Sequence, residues 1–140
     1  MSRADDEIHM RRAIALARAR LGRTAENPAV GCVIVKAGRV IAEAATAEGG
    51  RPHAEEQALA AAGAAAEGAD AFVTLEPCAE RSNGTPSCSE RLVGARVRRV
   101  VYACEHPHHL SAGGGPARLR EAGIAVEAGF LADEAAGLYP

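Results

Sequence analysis

His53-Ala54-Glu55, Pro77-Cys78 and Cys88 are the residues of this chain whose types and spacing could do chemistry. One imidazole and two thiolates suit Zn2+, with a fourth coordination position left for water. Zinc lowers the pKa of such a water from about 15.7 to about 7, so a nucleophile is available at neutral pH. Glu55 stands two residues after the histidine. In the first turn of a helix its carboxylate reaches the same pocket without having to bind the metal. It can take a proton from water and later deliver it to a ring nitrogen and to leaving ammonia. Together these residues describe hydrolytic deamination of an amino-substituted heterocycle.

Each of these residues falls where an element begins or ends. Pro77-Cys78 follows the buried-type strand Ala71-Phe72-Val73-Thr74-Leu75, and Cys88 opens Cys88-Ser89-Glu90-Arg91-Leu92-Val93, a first helical turn. A helix N-terminus favours the thiolate form that a zinc ligand needs. Taken singly the pieces have plainer explanations: a His-x-Glu pair arises by chance, and four cysteines can all be small core residues. The joint pattern, with His at a helix start, Pro-Cys at a strand end and Cys at a second helix start, favours the metal site. Cys32 and Cys104 lie in β-like apolar runs and read as buried structural thiols.

The rest of the chain supplies alternating elements. Asp5 or Asp6 is expected to cap a first helix with apolar positions Ile8, Ile14, Leu16 and Leu21, and Gly22 stands just past its end. Asn27-Pro28 breaks the chain before the run from Ala29 to Val35, and Lys36-Ala37-Gly38-Arg39 turns it into Val40-Ile41-Ala42, a hairpin. A second helix is expected from His53 to Ala66, closed by Gly68, and the short helix from Cys88 ends near Gly94. Val97 to Cys104 makes a fourth strand, Pro116 to Ala122 a fourth helix, and Ile124-Ala125-Val126 a fifth strand. Strand–helix–strand order predicts right-handed parallel crossovers. The expected fold is therefore α/β, a three-layer α/β/α sandwich around a mixed five-stranded sheet, and residues 1–140 read as one domain.

Composition narrows the partners. Lys and Arg number 16 against 18 Asp and Glu, so net charge gives no nucleic-acid footprint, and the chain has no aromatic stacking set. Arg96, Arg98 and Arg99 cluster, and a solvated strand face accounts for them. No apolar run is long enough to span a bilayer, and Met1-Ser2-Arg3-Ala4-Asp5-Asp6-Glu7 lacks a signal peptide's apolar stretch. The expectation is a cytoplasmic protein with reduced thiols, acting on a small heterocyclic amine, away from membranes, as a homodimer or higher homo-oligomer.

Asn27-Pro28-Ala29-Val30-Gly31, His53-Ala54-Glu55, Thr74-Leu75-Glu76-Pro77-Cys78 and Gly84-Thr85-Pro86-Ser87-Cys88 together resemble the cytidine deaminase superfamily. Within it they are most similar to the pyrimidine deaminase domain of riboflavin biosynthesis. The similarity runs from the first helix to Gly129-Phe130-Leu131. It implies that His53, Cys78 and Cys88 bind Zn2+, that Glu55 shuttles protons, and that Asn27 hydrogen-bonds the substrate ring or its sugar. Ala54 and Glu76, which stand inside these motifs, join the candidate substrate contacts. Glu76 also reads as a structural carboxylate, and Asn27 as a turn cap before Pro28.

The departures from that family fall where a ribose phosphate would bind. Ala79-Glu80 stands where Ser-His is expected, Gly84 where a basic residue precedes Thr85, and Thr46 where the family tends to carry a pocket histidine. His106-Pro107-His108-His109 replaces an Asp-Pro-Asn-Pro stretch, and the Ala79 to Ser87 loop is one residue longer. Arg81, Thr46, His106 and His108 are then the candidate partners of an anionic group. A second metal site at His106, His108 and His109 lacks an acidic or thiol partner at useful spacing. Pro107 and Gly113-Gly114-Gly115 make that stretch a flexible loop. The family's deaminase is commonly fused to a reductase, for which this chain is too short, so a stand-alone deaminase is expected. Three readings follow: the riboflavin-pathway deaminase, a paralogue acting on another free base, nucleoside or heterocycle, and a non-catalytic zinc-stabilised binding protein. The changed pocket predicts weak activity on the phosphoribosylated intermediate.

Overall fold

The computed structural model describes residues 2–79, 86–105 and 113–139. Five strands form one mixed sheet in the order β2-β1-β3-β4-β5. β1 (Gly31–Lys36) and β2 (Arg39–Ala45) are the expected hairpin. Ala37 and Gly38 both take positive φ, the turn whose twist matches that of the flanking strands. β1 also pairs antiparallel with β3 (Asp70–Leu75), whereas β4 (Arg99–Cys104) and β5 (Ala125–Glu127) continue parallel from β3. The parallel steps need crossovers, and α3 (Cys88–Ala95) and α4 (Gly114–Glu121) lie in them.

Period-two alternation along the central strands divides the core between two faces. Cys32, Ile34, Ala71, Val73, Val100 and Tyr102 face Ala54 and Ala58 of α2 (Ala54–Ala62), Leu92 of α3 and Leu119 of α4. Val33, Val35, Phe72, Val101 and Ala103 face α1 (Arg3–Arg18) and α5 (Ala132–Ala135). The result is the three-layer sandwich. Burial of one large side chain such as Phe72, which has no exposed surface, contributes roughly 1.5–3 kcal/mol. No helix among the described residues is long and apolar enough to cross a membrane.

Several local expectations change. Ser2, not Asp5 or Asp6, caps α1: its hydroxyl accepts the Asp5 N–H at 3.2 Å while the Asp5 carboxylate takes the Ser2 N–H. The helix stops at Arg18, with Ala19 as its cap, before Gly22 is reached. Its inward face is Met10, Ala13, Ile14 and Ala17, whereas Ile8 and Leu21 are exposed. Small alanines let this helix approach the sheet closely, which an apolar count that favours large residues overlooks. α2 ends at Ala62 and continues as a tighter turn, Gly63–Ala66. Arg96 and Arg98 are exposed as expected, whereas Arg99 is half-buried. The Arg98 guanidinium forks onto the buried Asp70, at 2.8 Å, and Arg99 reaches the same carboxylate at 3.0 Å while forking onto Asp6 at 2.9 Å.

Candidate metal and active site

Three element ends meet at one end of the sheet. His53 is the residue from which α2 starts, Cys78 follows the exit from β3, and Cys88 is the first residue of α3. Ser87 fixes the start of α3 by a capping box, its hydroxyl accepting the Glu90 N–H at 3.1 Å. The freed amide of Cys88 then donates to Cys78 Sγ at 3.3 Å, and Ser89 N–H donates to the Cys78 carbonyl at 3.1 Å. Arg91 of α3 pairs with Glu56 of α2 at 3.4 Å, tying the two helix starts together.

The donor atoms of His53, Cys78 and Cys88 all lie within 4.8 Å of one another. Tetrahedral zinc, with a Zn–N distance of about 2.0 Å and Zn–S of about 2.3 Å, sets nitrogen and sulfur about 3.6 Å apart. His53 Nδ1 and Cys88 Sγ stand 3.5 Å apart. The donor set therefore fits zinc in chemistry and in spacing. Hydrogen bonding from the Cys88 thiol, then from His53 and the Cys88 N–H, holds Cys78 far below the usual thiol range, at about 4, against the opposing cost of burial. Cys78 is thus anionic at neutral pH, as a ligand must be.

Glu55 enters the same cavity from the first turn of α2 and is almost fully buried. Burial raises its pKa, and the negative charge of Cys78 adds to this; its own backbone N–H, His53 and Cys88 act the other way. The carboxyl lies beside the candidate zinc donors without being one of them.

The cavity, about 120 Å³, is also lined by Asn27, Pro28, Val30, Thr46, Leu75 and Glu76. Asn27 Nδ2 donates to the Gly50 carbonyl at 3.0 Å. Since a carbonyl only accepts, this fixes the amide's orientation and leaves Oδ1 as an acceptor for a substrate donor. Thr46 lies at the wall, but its hydroxyl is engaged by the backbone, accepting Val30 N–H at 2.9 Å and donating to the Pro28 carbonyl at 3.1 Å. Ala54 is fully buried in the core and does not line the cavity. Glu76 accepts the Gly113 N–H at 2.7 Å, which joins its structural role to its place in the wall. Arg81, His106, His108 and His109, with Glu80, Gly84 and Thr85, lie outside the described residues.

Of Gly113-Gly114-Gly115, the last is buried: Gly115, in the first turn of α4, lies so close to β3's exit that a Cβ there would sit 1.8 Å from the Pro77 carbonyl oxygen. Cys32 is buried as expected, and Cys104 is only half-buried; neither joins the metal cluster. Pro28, Val30 and Leu75 were not singled out as wall residues, although all three stand inside the motifs that define the site. A larger hollow, about 470 Å³, opens at the other end of the sheet between Lys36, Gly68, Asp70 and Arg98, and no histidine or cysteine lines it.

Residues 3–104 match the family described as the cytidine and deoxycytidylate deaminase zinc-binding region. The chain belongs to this family. Among similar members, RibD of Escherichia coli strain K12, a riboflavin biosynthesis protein, is 46% identical over 130 residues, covering 93% of this chain and 35% of that protein. A RibD structure from Acinetobacter baumannii superposes with a TM-score of 0.92 at 50% identity, covering 96% of this chain and 38% of that one. A diaminohydroxyphosphoribosylaminopyrimidine deaminase/5-amino-6-(5-phosphoribosylamino)uracil reductase from Thermotoga maritima gives 0.87 at 39% identity, over 96% and 39% of the two chains. This deaminase-family domain thus spans little more than a third of the length of such relatives.

Proposed function

We propose that the chain removes the ring amine of diaminohydroxyphosphoribosylaminopyrimidine, the compound named for its Thermotoga relative. The overall change replaces a ring C–NH2 by C=O, with water consumed and ammonia released. The observation that carries the reading is the joint placement of Glu55, Asn27 and the His53/Cys78/Cys88 set around one cavity. Zn2+ held by His53, Cys78 and Cys88 supplies Lewis acidity that makes water nucleophilic at neutral pH. Glu55 takes one proton from the attacking water and passes it to the ring nitrogen, then takes the second from the hydroxyl left on the ring carbon and passes it to the departing amine, so that C=O forms as ammonia leaves. Asn27 Oδ1 accepts a hydrogen bond from the substrate and orients its ring, and Leu75 and Val30 exclude bulk water from one side. The same reading takes residues 1–140 as one deaminase domain, cytoplasmic, and a homodimer or higher homo-oligomer. Light scattering checks the assembly.

Ammonia release from that compound, with wild type and Glu55→Gln compared at equal zinc content, tests the reading. The variant keeps size and polarity but cannot carry the proton, so kcat falls by about 10²–10⁴-fold. Near-normal turnover by Glu55→Gln would remove the mechanism. A second reading, a smaller unphosphorylated heterocycle, is favoured by the cavity of about 120 Å³ and by Thr46, whose hydroxyl is engaged by the backbone. The ratio of kcat/KM for the phosphorylated compound to that for its unphosphorylated counterpart separates the two.

A further inference from the structure

Tyr139, which the sequence gives no role, reaches back beneath the site. Its hydroxyl donates to the Ala29 carbonyl at 2.7 Å and lies 2.7 Å from Thr74 Oγ1. Thr74 Oγ1 in turn accepts the Gly31 N–H at 3.1 Å. Each hydroxyl has one proton, so the direction of the chain is determined. The Tyr139 proton is committed to Ala29, hence Thr74 donates to Tyr139, and Gly31 donates to Thr74. The run closes on itself, from Gly31 through two side chains back to Ala29.

The two segments it joins are the two walls of the cavity. Ala29 lies between Pro28 and Val30, and Thr74 directly precedes Leu75 and Glu76, four wall residues in all. Thr74 is fully buried, and the tyrosine ring packs against the core on both faces of the sheet. Without the phenol, the Ala29 carbonyl and the Thr74 hydroxyl would lose their partner in a place where water is scarce.

We infer that Tyr139 is a positioning residue that holds the Asn27–Val30 wall at a fixed distance from the metal-bearing end of β3. It touches neither substrate nor metal ligand and acts through the Ala29 backbone on Asn27. The inference rests on the deaminase reading above, and its consequence is specific. Tyr139→Phe raises KM about tenfold, the worth of one or two hydrogen bonds, while kcat and zinc content stay near wild type.

The experiment measures KM and kcat for wild type, Tyr139→Phe, Asn27→Ala and the double variant, with hydrogen exchange at the Gly31 amide followed in parallel. If Tyr139 acts through Asn27, Tyr139→Phe adds nothing to KM once Asn27 is alanine, and Gly31 exchanges faster in Tyr139→Phe. A lowered melting temperature with KM unchanged overturns the inference, as does a full tenfold effect on top of Asn27→Ala. Thr74→Val breaks the same run one link earlier and replaces Tyr139→Phe in this scheme should the latter not fold. Failure of wild type to release ammonia, with exchange at Gly31 still faster in the variant, counts against the deaminase reading and leaves the tie standing. Unchanged exchange sinks the tie whatever the activity.

Discussion

Both ends of the sheet bury charged or ionisable groups, and they treat them in opposite ways. At one end Asp70 opens β3 with almost no exposure, and its two carboxylate oxygens are taken by Arg98 and Arg99, while Asp6 of α1 takes Arg99 Nη1 and Nη2. The acids there are matched by forked cations, and the arrangement locks α1, β3 and β4 together. At the other end Glu55 and the donors of His53, Cys78 and Cys88 crowd together in one cluster. Two thiols and an imidazole at that spacing are a set that a divalent metal would draw together. Polar burial that balances itself reads as structure, and polar burial that needs a ligand reads as a site.

The sharpest way to break this contrast is to remove one donor from each end. Cys78→Ser is expected to leave the chain folded, with zinc far below about one equivalent per chain and no detectable turnover. Metal analysis of protein purified without added zinc, beside the ammonia assay, checks it. Asp70→Asn does the reverse: zinc content and kcat at 25 °C hold, while stability falls by about 3 kcal/mol. That figure is the low end of the range for a broken buried pair, because Arg98 can turn into water. A melting temperature lower by roughly 10 °C is the readout. Should Asp70→Asn also strip zinc, the two ends are coupled through β3 and the contrast fails.

The two ends were not equally legible in the sequence. The metal end is built from short-range signals: a histidine opening α2, Pro77-Cys78 leaving β3, and a Ser-x-x-Glu box that starts α3 at Cys88. Each is readable within a few residues, so fold class and metal set were both accessible. The ion-pair end depends on Asp6 meeting Arg99 across 93 positions. From spacing alone Asp6 looked like a cap, and Arg99 like its exposed neighbours Arg96 and Arg98. Tyr139 was opaque for the same reason, since its partners stand 65 and 110 positions away. Local propensity cannot see such partners, and Gly115 reads as loop until the Pro77 carbonyl is found against it.

Glycine substitutions sharpen the comparison at smaller cost. Gly115→Ala would place a methyl group against the Pro77 carbonyl, next to a proposed metal ligand. The backbone must shift, with an expected loss of about 1–3 kcal/mol and weaker zinc retention in chelator competition. Gly94→Ala, in α3 with nothing within 4 Å of the new Cβ, is expected to stabilise by roughly 0.5–1 kcal/mol through helix propensity and leave zinc untouched. Equal effects of the two on zinc retention would mean that contact with Pro77 does not matter.

The smallest effect lies in alkali. Burial raises the Tyr139 pKa above the ordinary value, with the charges of Cys104 and Glu55 adding to it and the Thr74 hydrogen bond opposing. Burial raises Tyr102 as well, helped by Glu76 and Glu105. A raised folded-state pKa means that above about pH 10 the unfolded chain gives up its tyrosine proton first. The folded state then holds more protons, so stability is fully present below that pH and declines as pH rises through the folded value. One such group sets a slope of at most about 1.4 kcal/mol per pH unit. Denaturant midpoints measured from pH 8 to 11.5 are therefore expected to fall for wild type and to fall less steeply for Tyr139→Phe, with Tyr102, Cys32 and Cys104, all raised by burial, maintaining the remaining slope. The variant starts lower at pH 8, having lost its hydrogen bonds, and the two curves converge with rising pH. Parallel curves would show that the Tyr139 hydroxyl ionises as freely in the folded protein as in water, and that the tie beneath the site is open to solvent.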